Sequence, residues 1–304
     1  ENDLQTNGLL LDARWIANAK AVGPFTLRNL RIEDPNHFVP LAKIAELPID
    51  IGVLPKAALT RAAGIDDEMR QGLRPTGLIQ GKGVGTKLLL VHGYCSGDAW
   101  GPVASKFSNS VVFKDFNKNR SHDQFANLIK TFGATWNSYG IVAHSQGGAA
   151  ALHLYTYYWS GLDNATGARL IQSVGTPYQG TALAGNAAVL GSVFGVGCGT
   201  NANLTYSGAS SWLAGIPTSS RAKVNYYTTS FKLTNWYTND YCNMATDLLL
   251  NDPEDGTTEQ TKGQLSGAIN QGHKTGWCHT SSMRDPAQTS DSSRNSTMNS
   301  NAAR

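Results

Sequence analysis

The chain has 304 residues, 40% of them apolar and 15% charged, with a formal charge of +3 and a mean hydropathy of −0.28. That is enough chain and apolar content for one large or two small globular domains, and it excludes a disordered tail protein. Without a run of five or more Lys or Arg, the sequence offers no dedicated nucleic-acid surface.

The most apolar long window, Thr181 to Gly197, is shorter than the ~20 residues of a spanning helix and is interrupted by Asn186 and four glycines. The chain opens at Glu1 without an initiator Met, which fits removal of a leader. The four cysteines, Cys95, Cys198, Cys242 and Cys278, lack zinc-site spacing, and an even count allows two disulfides in three pairings. This points to a secreted or periplasmic protein; four free thiols in a cytosolic protein are the alternative.

Residues 1–84 alternate Pro, Gly and short apolar runs and read as an N-terminal extension or subdomain. FTLRNLRIE (25–33) alternates like a strand, whereas KIAELP, KAALTRAAG and DDEMRQGL read as short helices. From Gly85 the pattern changes to apolar runs separated by helical stretches, the signature of a mostly parallel α/β sheet flanked by helices. Strands are predicted at KLLLV (87–91), SVVFKDF (110–116), YGIVAHS (139–145), ARLIQSV (168–174) and AKVNYYTTS (222–230). Ser121 with Gln124 forms a capping box before a helix, and AALHLYTYYW (150–159) reads as another. Residues 284–304 hold five serines and three asparagines and read as a flexible polar tail, leaving 85–283 as the catalytic domain.

Strand 139–145 ends in Ala143-His144-Ser145-Gln146-Gly147-Gly148, directly before a helical run. A serine hydroxyl becomes a useful nucleophile when a sharp strand-to-helix turn lifts it clear of the sheet and a base takes its proton. The usual pentapeptide is G-x-S-x-G, and here Ala143 stands at the first glycine. A turn without chemistry is the bland alternative. About 50 residues upstream the first strand of this region ends in Val91-His92-Gly93-Tyr94. The backbone N–H groups of Tyr94 and Gln146 are therefore expected to form an oxyanion hole, with His92 structural rather than catalytic.

With HGY, then AHSQGG, then VGTPYQG (174–180) in this order, the chain resembles bacterial lipases and esterases of the α/β-hydrolase superfamily over residues 85–283. The resemblance implies an α/β-hydrolase fold and a triad in the order Ser, acid, His. His279, in GWCHT near the end of the folded-looking sequence, is the expected base, ahead of His273 in the turn-like QGHKTG. For the acid the resemblance favours Asp255, which opens DGTT and precedes His279 by 24 residues; Asp252 is the runner-up and Asp240 third, while Asp247 falls in a probable helix. The carboxylates of NDPED offer an alternative as a structural calcium site, without EF-hand spacing. The triad chemistry calls for no metal or organic cofactor.

The 41 residues 181–221 exceed a plain connection and read as a cap that either meets a lipid or polymer interface or packs as a buried helix. Trp100, Trp212 and Trp277 line a pocket or simply pack in the core. Two disulfides suit this layout, Cys198 with Cys242 and Cys95 with Cys278, although neither follows from the sequence. The function expected is a serine ester hydrolase acting on small, lipid-like or acyl esters. A polyester depolymerase with the same triad is the alternative, and a binding module that kept the fold without the activity is the reading outside enzymes. Oligomeric state is not legible.

Overall fold

A computed structural model describes residues 29–34, 37–39, 51–55, 83–95, 98–116, 119–194, 199–234 and 240–304. The chain divides into two compact units, Glu1–Leu78 and Ile79–Arg304. In the first, strands β1 (Asn29–Asp34), β2 (His37–Val39) and β3 (Ile51–Pro55) form a sheet ordered β2-β1-β3, antiparallel on one side and parallel on the other. The strand predicted from 25 lies here from Asn29, and the three predicted helical pieces lie outside the described residues.

The second unit is built on a six-stranded sheet, in which β4 (Thr86–Val91), β5 (Ser110–Phe113), β6 (Ser138–His144), β7 (Ile171–Val174), β8 (Val224–Ser230) and β9 (Ile269–Thr275) run in the order β5-β4-β6-β7-β8-β9. Every neighbouring pair is parallel. Parallel strands joined by crossovers are covered on both faces, which is why Leu88 to Val91 and all of β6 are buried continuous runs rather than alternating ones. Ser121 caps the helix His122–Gly133 in the predicted box: its hydroxyl accepts from Gln124 N–H while the Gln124 amide oxygen accepts from Ser121 N–H. Its buried Phe125, Ala126 and Ile129 pack on the sheet beside the helix Gln146–Tyr157. Among the described residues no helix is long and apolar enough to cross a membrane.

Two expectations fail. QGHKTG is not a turn but most of β9, an edge strand whose exposure hides it from a reading based on apolar runs. Residues 284–304 are not a free tail. Asp291 caps the helix Ser292–Asn301, its carboxylate accepting from the N–H groups of Ser293 and Arg294, and Met298 is fully buried in the cluster of Leu88, Leu90 and Trp100. Gln172 Nε2 donates to Met298 O at 2.7 Å and Ala303 N–H to Arg169 O at 2.9 Å. Backbone and side-chain hydrogen bonds order a segment whose composition offers little apolar area.

The disulfide found is Cys242–Cys278, with Cα atoms 5.6 Å apart, which excludes both pairings the layout suggested. Cys95 is disulfide-bonded as well.

Candidate active site

Ser145 sits between β6 and the helix Gln146–Tyr157 with φ 55° and ψ −136°, a conformation that costs a non-glycine residue of order 1–3 kcal/mol and is held only by its surroundings. Those surroundings are explicit. Ser145 N–H donates to Val174 O at 3.0 Å and Thr176 Oγ1 donates to Ser145 O at 2.6 Å. A Cβ on Gly147 would fall 2.3 Å from His92 O, and one on Gly148 2.2 Å from Thr176 Oγ1, so both helix-side glycines are steric necessities. Ala143 is accommodated within β6, fully buried.

A Cβ on Gly93 would lie 2.3 Å from Ser145 Cβ, so glycine there lets the turn after β4 close on the serine. Gln146, the first residue of its helix, has an N–H without an intrahelical acceptor. His92 braces this turn: Asp115 N–H donates to its Nε2 at 2.9 Å, leaving Nδ1 to donate to Gly93 O at 2.8 Å. Burial lowers its pKa, in keeping with a neutral bracing ring.

His279 Nε2 lies 2.9 Å from Ser145 Oγ, and His279 Nδ1 lies 2.8 Å from Asp255 Oδ2. Because a carboxylate only accepts, the ring proton sits on Nδ1 and the serine hydroxyl donates to Nε2. Asp255 Oδ1 accepts from the N–H groups of Thr257 and Thr258 at 3.0 and 2.7 Å, and His279 N–H donates to Asp255 O at 2.7 Å. All three side chains are at least 96% buried. The other candidates fall elsewhere. Asp240 accepts from Thr234 and faces Arg284, Asp252 is exposed, and His273 on β9 is hydrogen-bonded to Thr228 and Ser230.

Among the described residues, one carboxylate group has cation-binding spacing: oxygens of Asp247, Asp252 and Glu254 lie within 4.8 Å of one another. Glu254 already accepts from the N–H groups of Gly256 and Cys242. Burial, then repulsion from Asp255, pushes its carboxyl up to about 7.

A mainly apolar pocket opens at Ser145, lined by Tyr94, Leu190, Phe194, Leu204 and Thr257 among others. Phe194, ending the helix Ala187–Phe194 in the predicted cap, meets the rings of Tyr94 and His279 edge-on with centroids 5.6 and 6.2 Å away. Neither Trp100 nor Trp212 lines it. Trp100 is core and donates to Val91 O, and Trp212 donates to His153 Nδ1.

The sequence reading missed Gln288, His144 and Thr229. Gln288 reaches Asp255 Oδ2, and the His144 ring packs 4.6 Å from that of His279. His144 directly precedes the serine, and Gln288 lies in the segment whose composition predicts a polar tail.

The profile of the conditioned medium factor C-terminal domain matches residues 83–302, and that of the third Ig-like domain of the same factor matches residues 3–73. The chain belongs to the conditioned medium factor family. The conditioned medium factor of Dictyostelium discoideum is 42% identical over 306 residues, covering 96% of this chain and 43% of that protein, so the chain spans less than half the length of this relative. Among solved structures, a mature Bacillus licheniformis lipase is similar at 18% identity and TM-score 0.46, over 64% of this chain and 84% of that one. A metagenomic carboxyl esterase gives 17% identity and TM-score 0.45 over 72% and 73%. The six-stranded parallel sheet, with Ser145 on the turn between β6 and the following helix, is the architecture that the resemblance implied. The sequence kinship of the conditioned medium factor family, however, runs here to a Dictyostelium protein rather than to the bacterial enzymes.

Proposed function

We propose that this chain is a serine carboxylic-ester hydrolase working through Ser145, His279 and Asp255. The hydrogen-bonded line from Asp255 through His279 to Ser145 Oγ at a strained strand-to-helix turn carries this reading. His279 takes the serine proton as Oγ attacks the ester carbonyl, and the same proton leaves with the alcohol when the C–O bond breaks. Water, activated by the same ring, then cleaves the acyl-enzyme and releases the acid. Asp255 keeps the proton of the neutral ring on Nδ1 and offsets the charge of the imidazolium. The N–H groups of Tyr94 and Gln146 receive the carbonyl oxygen as it becomes negative. No step requires a metal or organic cofactor.

A small acyl group suits the apolar pocket at a 4%-exposed Ser145 better than the polyester of the depolymerase reading, which needs an open surface. A disulfide, together with a relative named for conditioned medium, supports action outside the cell. Hydrolysis of p-nitrophenyl esters from acetate to palmitate tests the proposal: turnover centred on short chains is expected, and no turnover across the series contradicts it.

A further inference from the structure

Gln288 carries a side-chain amide that is completely buried directly behind the Asp255–His279 pair. Thr229 Oγ1 donates to its Oε1 at 2.7 Å, which fixes the orientation of the amide and turns the NH2 toward the triad. Three atoms lie within reach of that NH2: Asp255 Oδ2 at 3.1 Å, His144 Nε2 at 3.1 Å and His279 Nδ1 at 3.0 Å. His279 Nδ1 spends its own proton on Asp255, so it is not an acceptor, and the two amide protons go to Asp255 Oδ2 and His144 Nε2. The Asp255 carboxylate is thereby filled, with two backbone N–H groups on Oδ1 and one ring and one amide N–H on Oδ2. His144, whose ring burial keeps neutral, packs against the face of His279.

Room for this amide is provided by Gly175 of the GTPYQG motif. At φ 61° its position would set a Cβ 2.1 Å from Gln288 Nε2. The next residue, Thr176, holds the carbonyl of Ser145. One short motif therefore serves both the elbow and the support of the acid.

Resting on the hydrolase reading above, we propose that Gln288 is a positioning residue of the triad, holding the Asp255 carboxylate and the His144 ring in register with His279. A buried hydrogen bond to a charged group is worth ~1.5–3 kcal/mol, which corresponds to ~10–160-fold in kcat to the extent that it is stronger in the transition state than in the bound ground state.

The test compares wild type, Gln288→Met, which keeps length but donates nothing, and Thr229→Val, which frees the amide to rotate. With p-nitrophenyl butyrate, Gln288→Met is expected to lower kcat ~10–160-fold with KM within about twofold, and Thr229→Val to lower it less in the same sense. Proton NMR of the low-field imidazole N–H of His279 reads the same arrangement without turnover, and the resonance is expected to move or vanish in Gln288→Met. A folded Gln288→Met with wild-type kcat and an unmoved resonance overturns the inference. If wild type turns over no ester, the hydrolase reading falls, while the resonance still judges Gln288.

Discussion

Cys278 is bridged to Cys242, and the residue that follows it is His279. Around the bridge, Gln288 N–H donates to Cys278 O at 2.7 Å and Arg284 N–H to Cys242 O at 3.0 Å, so the loops bearing His279 and Gln288 hang from one covalent tie. The bridge closes a separation of 36 residues, and both cysteines are buried. Replacing both by Ser is expected to cost about 2–4 kcal/mol in a denaturant melt and to lower kcat more than KM. Unchanged stability would contradict this placement of the tie.

The C-terminal segment should behave as core. Met298→Ala is expected to cost about 2–5 kcal/mol, as for other fully buried large-to-small changes, and a chain ending at Met283 should fail to fold, since it lacks Gln288, Met298 and the Ala303 pairing with Arg169. A truncated protein with a wild-type melting profile would return the segment to the status of a tail.

Glu254 gives the stability a sign with pH. Its carboxyl titrates near 7 in the folded chain and in the ordinary range of ~4.3 in the unfolded one, so between these values the folded state holds a proton that the unfolded state releases. Its contribution is present below that window and is lost as pH rises through it, by up to ~4 kcal/mol. Glu254→Gln should flatten this fall and raise the melting temperature at pH 8. His122 acts oppositely: burial, then His153, lowers it to about 3, so its contribution is lost as pH falls below ~6.5.

The pocket predicts chain-length preference. Phe194 lines the pocket together with Leu190, Leu204 and Ser145, and Phe194→Ala is expected to raise kcat/KM for octanoate relative to butyrate by roughly tenfold. An unaltered ratio would show that the acyl chain leaves by another route.

Much of this was legible because it obeys simple periodicity or sterics. The apolar runs of β4, β6 and β8 mark the buried middle of the sheet, and the small residues around Ser145 mark the turn. Asp255 and His279 were expected from the resemblance to bacterial lipases and esterases, with Asp252, Asp240 and His273 as alternatives, and their side chains lie in line with Ser145 Oγ. What escaped lacks an apolar signature. Strand β9 is an exposed edge, and the helix Ser292–Asn301 is held by the Asp291 cap and by hydrogen bonds to β7 and its flank. The disulfide escaped for another reason: pairing depends on how loops meet in space, and Cys242 and Cys278 meet beside buried Phe231, whose N–H donates to Glu254 O in the segment after β8.

Covalent labelling addresses the triad most directly. A fluorophosphonate reacts with a serine hydroxyl only where a neighbouring base has activated it, and mass spectrometry locates the adduct. Stoichiometric phosphonylation of Ser145 in wild type, lost in Ser145→Ala and strongly slowed in His279→Ala, is the predicted result. A folded wild-type chain that takes up no label, or takes it up on a residue other than Ser145, would contradict the assignment.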